Sequence, residues 1–514
     1  MSLIKSKRKR IILVALIAVF WLAMNAQLVR RELLLPRLPS GSTSIAASLT
    51  PEISYKEQWM GIYYEGQKVG YSGTMVNRLS GEGAPGYNIM NRTYMTVNFL
   101  DNPLKVQFDG RLRTDADFRM RNFSCLLKSA GHEIQLDGEL KGDMLSFSVV
   151  TGNKVFRKKA KVDKDVNMSN SLTPLLFLPD LKPGVTYTVD ILDPLSLATN
   201  KAKITATGME KYEYEGAHVD VYVVETEYQG ISFTAWVTEG GEVLKETTPL
   251  GWTLIKEDRR VAMEFPVENP TPARDIARLV AVPSDVRIVE PEQVRKMDVN
   301  VSGIDLGHFM LEGAGQRLID PQKGLVRIER ERPAEAPSTP ITDGSLAEFL
   351  RPTMLIQSDD EAIKKLARQI ADGENNSLVV ADRINQWVFD NVRKKVTLSL
   401  PSAVEVLETR EGDCNEHTQL FVALARAAGI PAKAATGLVY HKGSFYYHAW
   451  PEVYVGKWLA MDPTFGQTLA DATHIKLLEG ELDQQTKLVQ AIGKLKLSIQ
   501  SFSYAPPAAK GKAL

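Results

Sequence analysis

The sequence predicts an α+β chain made of two unlike parts. An N-terminal β-rich region, half-barrel or sandwich-like, comes first, and a C-terminal domain follows in which helices precede strands. Three observations predict this. Between Tyr55 and Pro266 apolar residues alternate in short runs divided by turn residues, which is the two-residue period of strands. From Leu346 the period lengthens to that of amphipathic helices. After Gly429 and Pro431 the alternation returns, so the last domain reads helix first and strand second.

The chain of 514 residues is long enough for two or three folded units, and 44% hydrophobic with 24% charged residues is a globular composition. Lys and Arg total 62, as do Asp and Glu, so nothing in the net charge argues for nucleic acid as a partner. Cys125 and Cys414 are the two cysteines. They are too few and too far apart for a disulfide framework or a zinc site, and no cofactor or metal is expected.

In chain order, Lys5, Lys7, Arg8, Lys9 and Arg10 precede an apolar run from Ile11 to Ala26. With Gln27 to Val29 this approaches the roughly 20 residues that span a bilayer. The basic flank places residues 1–10 in the cytoplasm. Residues 1–31 therefore read as a signal anchor in preference to a cleaved signal peptide, because Met24-Asn25-Ala26 is a poor cleavage site. The expectation is a single-pass inner-membrane protein with its bulk in the periplasm. Residues 32–52 read as a linker.

The β-rich domain spans 53–266. Its expected strands are Gln58–Tyr64, Lys68–Met75, Leu104–Arg113, Phe118–Leu127, Ile134–Leu140, Met144–Val150, Thr186–Asp190, Ala202–Thr207, Val219–Tyr228, Ile231–Thr238 and Val243–Thr247. Leu172–Leu178 breaks the pattern as a short helix or loop. His132 and His218 read as surface or satisfied histidines, because neither has a partner at ligand spacing. A boundary at Glu268–Pro272 leads to a small β-containing connecting region over 267–331, with strands at Val286–Val289, Met297–Val301 and Leu325–Ile328. Residues 332–344 are Pro-rich and extended, as in a spacer.

The last domain, 345–485, opens with scaffold helices over Asp359–Asp372 and Ser377–Val392; Trp387 in the second reads as core. Asp413 can cap a third helix, and Glu416 completes the capping-box spacing, which puts Cys414 in the first turn. Free backbone N–H groups there favour thiolate, while the two flanking carboxylates oppose it. Strands are expected at Ala432–Tyr440, Phe445–Val455 and Lys457–Met461; the second carries His448 and the third leads into Asp462. Residues 486–514 read as a helix at Leu488–Gly493, a strand at Leu495–Phe502 and a loose tail.

Attack by cysteine on an amide needs a base, and the base needs a partner that holds its tautomer. Cys414, His448 and Asp462 supply the three catalytic roles, 34 and 14 residues apart along the chain. One oxyanion donor is expected from the Cys414 N–H. A metal cluster of Asp413, Cys414, His417, His441 and His448 is the rival reading, but it lacks paired ligand spacing; His417 and His441 read as surface groups or groups behind the site.

Gly412-Asp413-Cys414, Ala425–Ala432, His448-Ala449-Trp450-Pro451-Glu452-Val453, Trp458 and Met461-Asp462-Pro463-Thr464 follow one another over about 50 residues. In that order they resemble the transglutaminase-like superfamily, and specifically bacterial members that carry this domain at the C-terminal end of an exported β-rich chain. The resemblance covers roughly 345–485. It implies a papain-like core, amide chemistry through a thioester on Cys414, and a protein or peptide substrate. It leaves the acceptor open: water for a protease or amidase, an amine for acyl transfer. The other readings are an envelope binding or scaffold protein with a vestigial domain, and a peptidoglycan-acting cysteine amidase. Asn415-Glu416 does not match the small pair that follows the cysteine in that last family. Ala470–His474 looks typical of the superfamily, with a structural role for His474.

Overall fold

Lys161 and Asn167 are close neighbours in the chain, yet the strands they belong to form the two opposite edges of one sheet of 15 strands. Laid flat at about 4.8 Å per strand, such edges would stand about 67 Å apart. The connecting chain reaches only about 20 Å. The sheet must therefore curl back on itself, and it does so as a half-barrel. This computed structural model describes residues 55–504 except 80–84, 101, 117, 152–153, 163–166, 169–181, 193–198, 229, 249–250, 266–274, 332, 397–401 and 481–485. The expected anchor at 1–31, the linker, Leu172–Leu178, the Glu268–Pro272 boundary and the tail after Tyr504 lie outside the described residues.

The strand Tyr55–Tyr64 sits mid-sheet, with Gln67–Leu79 on one side and Trp252–Glu257 on the other. From each side an antiparallel meander runs outward, to Lys154–Lys161 at one edge and to Thr186–Leu192 on the other side, where Asn167–Met168 adds the final edge strand in parallel. The strand Gly86–Phe99 escapes the hydrophobic pattern because part of its inward face is polar. Asn91 Nδ2 donates to Ser72 Oγ at 3.1 Å and Thr74 Oγ1 at 3.0 Å, and Thr93 Oγ1 lies 2.8 Å from Ser72 Oγ, all buried. Satisfied in this way, polar side chains occupy interior positions at little cost. Lys154–Lys161 and Trp252–Glu257 are likewise strands beyond those expected.

Two smaller sheets follow, besides a two-stranded parallel pair of Arg393–Lys394 with Glu411–Gly412. Ser444–Tyr454 pairs with Ala432–His441, which pairs with Ile475–Glu479; Val282–Pro283 and Trp458–Ala460 pair with opposite ends of Ser444–Tyr454. The second sheet orders Gln316–Asp320, Leu325–Glu329, Val294–Ser302 and Lys496–Tyr504. The C-terminal strand is thus stitched to the connecting region, and the two sheets share one hydrophobic core of Val299, Val326, Tyr440, Phe445, Ile475 and Ile499. Val286–Val289, expected as a strand, is not one; only Val282–Pro283 pairs there. The expected helix at Leu488–Gly493 is a single stretch of 3-10 helix, Thr486–Gln490. The Pro-rich segment is docked rather than free: Thr339 N–H donates to Asn375 O, Ser377 N–H to Pro337 O and Ile341 N–H to Gly429 O.

The helices Glu361–Ala371, Ser377–Asn391, Ala403–Thr409 and Cys414–Ala427 pack together through Ile363, Ile384, Val388, Val404, Phe421 and Leu424. Trp387 lies against this core with the Arg410 guanidinium 4.4 Å from its ring centre. The half-barrel reaches the helices at Glu405, which sits 3.2 Å from His132 Nδ1 and accepts from Thr151 Oγ1 at 2.5 Å. His132 is therefore a satisfied histidine at a junction between the two parts, and the neighbouring carboxylate holds it above its ordinary pKa against the effect of burial.

Candidate active site

The tip of the Cys414–Ala427 helix is built by its own sequence. Asp413 accepts from Asn415 N–H at 2.8 Å, and Glu416 Oε2 folds back to accept from Asp413 N–H at 2.8 Å, closing the capping box. Glu416 lies so close over Gly412 that a Cβ there would come within 2.1 Å of the Glu416 Cβ. Glycine before the Asp-Cys pair is thus a steric requirement of the cap. At the other end Ile430 N–H bonds to Ala425 O and Gly429 N–H to Arg426 O, a Schellman closure with Gly429 at φ +78°. The helix is fixed at both ends, and its buried flank, with Leu420, Phe421 and Leu424 fully buried, holds Cys414 in place.

Cys414 is partly exposed. Its tip meets the strand Ser444–Tyr454, whose Ala449 backbone N–H hydrogen-bonds to the sulfur. Burial of the sulfur pushes the thiol well above its ordinary pKa; Asp413, Glu416 and Asp462 add to this, and the Ala449 N–H opposes it. Burial and the carboxylates together outweigh the Ala449 N–H. Cys125, also a free thiol, is buried in the half-barrel and pushed to about 12.

His448, one residue before Ala449, lies 2.7 Å through Nε2 from Asp462 Oδ2 and stacks on Phe465 with ring centres 5.0 Å apart. Asp462 is fully buried. Its Oδ1 accepts from Thr464 N–H at 2.7 Å and Phe465 N–H at 3.1 Å, and its Oδ2 also receives His474 Nε2 at 3.0 Å. Burial alone would raise this carboxyl; His448 and His474 overcome it and hold Asp462 well below the usual carboxylate range. His474 is driven down by burial and up by Asp471 and Asp462, and stands at about 10.

The structure brings all three sequence-identified residues to one place and adds His474 and Asp471 to them. The signal for these two lies in Asp471-Ala472-Thr473-His474, where the spacing lets the aspartate turn back on its own histidine: Asp471 Oδ1 accepts from Thr473 N–H at 2.8 Å and lies 3.3 Å from His474 Nδ1. His417, read as surface or behind the site, is fully buried, with its nitrogens near Asp413 O and Val392 O. His441 is exposed at a strand end.

Among the described residues, the group whose atoms could surround a cation is His448, Asp462 and His474, all within 4.8 Å, and not the Asp413, Cys414, His417, His441 set. Both imidazoles hydrogen-bond to one oxygen of Asp462, the arrangement of a charge-oriented histidine rather than of ligands spread around an ion. A cavity of about 310 Å³ lies behind the group, lined by Trp450, Asp471, His474 and Lys476 and not by Cys414 or His448.

Residues 364–463 match the family model of the transglutaminase-like superfamily. The chain carries a transglutaminase-like domain there, after a large β-rich region. An uncharacterized protein of Haemophilus influenzae is 33% identical over 112 residues, which is 19% of this chain and 30% of that protein. The chain thus spans less than a third of that relative's length. A candidate cysteine protease from Cytophaga hutchinsonii is similar over 41% of this chain and 88% of its own, at 20% identity and a TM-score of 0.27. A β-barrel-like protein from Brucella abortus is similar over 40% of this chain and 94% of its own, at 9% identity and a TM-score of 0.27. Scores this low establish no shared overall fold.

Proposed function

We propose that the chain is a cysteine enzyme that cleaves or transfers amide groups of proteins or peptides through a thioester on Cys414. One observation carries this reading: His448 Nε2 is held by the buried Asp462, while the next residue along the strand, Ala449, hydrogen-bonds to the Cys414 sulfur. With Nε2 donating to Asp462, Nδ1 is the nitrogen left to accept the thiol proton. Sγ then attacks the carbonyl carbon, and the C–N bond breaks as the amine leaves with the proton from His448. Water or an amine attacks the thioester and restores the thiol. Location outside the cytoplasm, on an anchor formed by residues 1–31, belongs to the same proposal and rests on the basic and apolar pattern of that segment.

The test uses the full chain. A peptide-amide probe with an electrophilic carbonyl is expected to label Cys414 by peptide mapping and to leave Cys414→Ala unlabelled; persistent labelling of the variant removes the nucleophile. A second reading, a binding or scaffold protein with a vestigial domain, is favoured by the upward push that burial exerts on the Cys414 thiol. It predicts an unlabelled wild-type chain.

A further inference from the structure

We propose that His474 is a positioning residue of this site, held as an imidazolium between Asp462 and Asp471 so that the carboxylate orienting His448 stays fixed. The proposal rests on the reading of Cys414 and His448 as nucleophile and base.

Hydrogen-bond accounting carries the inference. His474 Nδ1 lies 3.1 Å from the Asp471 backbone oxygen and 3.3 Å from Asp471 Oδ1; its Nε2 lies 3.0 Å from Asp462 Oδ2. A carbonyl oxygen and an ionised carboxylate only accept, so each ring nitrogen must bring a proton. Asp462 is ionised: its Oδ1 receives two backbone N–H groups, and its carboxyl is held well below the usual carboxylate range. His474 is thereby a cation with almost no exposure, set between two buried carboxylates.

The framework is closed. Asp462 and Gln467 exchange backbone hydrogen bonds of 2.8 Å in both directions. Gln467 Nε2 donates to Asp471 Oδ2, and Gln467 Oε1 accepts from Asp471 N–H, each at 2.8 Å. Asp471 holds His474, and His474 returns to Asp462. Rotation of the Asp462 carboxylate away from His448 would break contacts around the whole ring, which keeps the base oriented before substrate arrives. The charges are matched as well: His474 offsets Asp471, leaving about one negative charge, that of Asp462, to meet the imidazolium formed on His448. The charged groups facing the reacting pair are Asp462 and His474 on the strand side and Asp413 and Glu416 on the helix side.

The test follows iodoacetamide alkylation of Cys414 in the full chain, read by peptide mass from pH 5 to 10, in wild type and His474→Gln. The glutamine keeps a neutral donor and removes the positive charge, so proton loss from Cys414 moves to higher pH and the rate at pH 7 falls about 3- to 10-fold, the effect of roughly half to one pH unit. A profile that superimposes on wild type, in a variant with an unchanged circular dichroism spectrum, overturns the proposal. Should His474→Gln not fold, the ¹⁵N signals of histidine-labelled wild type decide: both His474 nitrogens are expected to stay protonated from pH 6 to 9, and a neutral ring overturns it. A wild-type profile with no histidine-dependent limb sinks the underlying nucleophile–base reading instead, and leaves the ¹⁵N result to judge the charge of His474.

Discussion

His448 and His474 approach the same oxygen of Asp462, at 2.7 and 3.0 Å, from a strand and from a loop that lie on either side of it. Asp462 is therefore both the orienting partner of the proposed base and, on the inference above, the counter-charge of a buried cation. Asp462→Asn keeps the shape and loses the charge, and it is expected to lower turnover of an amide substrate by about 10³- to 10⁴-fold, read as kcat. Asp462→Ala leaves His474 buried with one carboxylate fewer; unfolding in urea is expected to show a loss of about 3–5 kcal/mol.

The same charges make stability depend on pH. Asp462 is held far below its unfolded value of about 3.9, so its contribution is complete above that pH and fades as pH falls. His474 is raised from 6.5 to about 10, so its contribution is complete below pH 6.5 and is lost between there and pH 10. The two together are greatest between about pH 4 and 6.5. Urea midpoints at pH 6, 8 and 10 are expected to decline in wild type, and to decline less in His474→Gln.

Glu416 serves the cap and burdens the thiol. Glu416→Gln retains a capping-box acceptor while removing one of the carboxylates that raise Cys414. Alkylation of Cys414 is expected to shift to lower pH and to run faster at pH 7, with thermal stability nearly unchanged.

Gly412→Ala places a methyl group against the Glu416 side chain. Glu416 must swing away from Asp413 N–H, and the cost is expected to be about 1–3 kcal/mol in unfolding free energy, from overpacking together with the lost cap. The measurement is thermal or urea unfolding, with the midpoint falling.

The helix tip was open to reading from residues alone because capping is local: Asp413, Cys414 and Glu416 lie within one turn and interact in whatever tertiary setting they occupy. The amphipathic helices Glu361–Ala371 and Ser377–Asn391 were equally legible, since burial of one face leaves a period in the sequence. Gly86–Phe99 was not, because Asn91 and Thr93 are buried only by virtue of partners on the neighbouring strand Gln67–Leu79. Val286–Val289 misled in the opposite sense: its apolar residues alternate, yet among the described residues no strand pairs with it.

By itself, the sequence singled out Cys414, His448 and Asp462 as the proposed catalytic residues, since their types, order and the local punctuation around each are written in the chain. Tertiary structure decided their electrostatics. Burial sets the direction of the Cys414 thiol, and the ring from Asp462 through Gln467, Asp471 and His474 exists only once strand pairing turns the chain back on itself. Desolvation and charge pairing are properties of what surrounds a group in space, and spacing along the chain does not contain them.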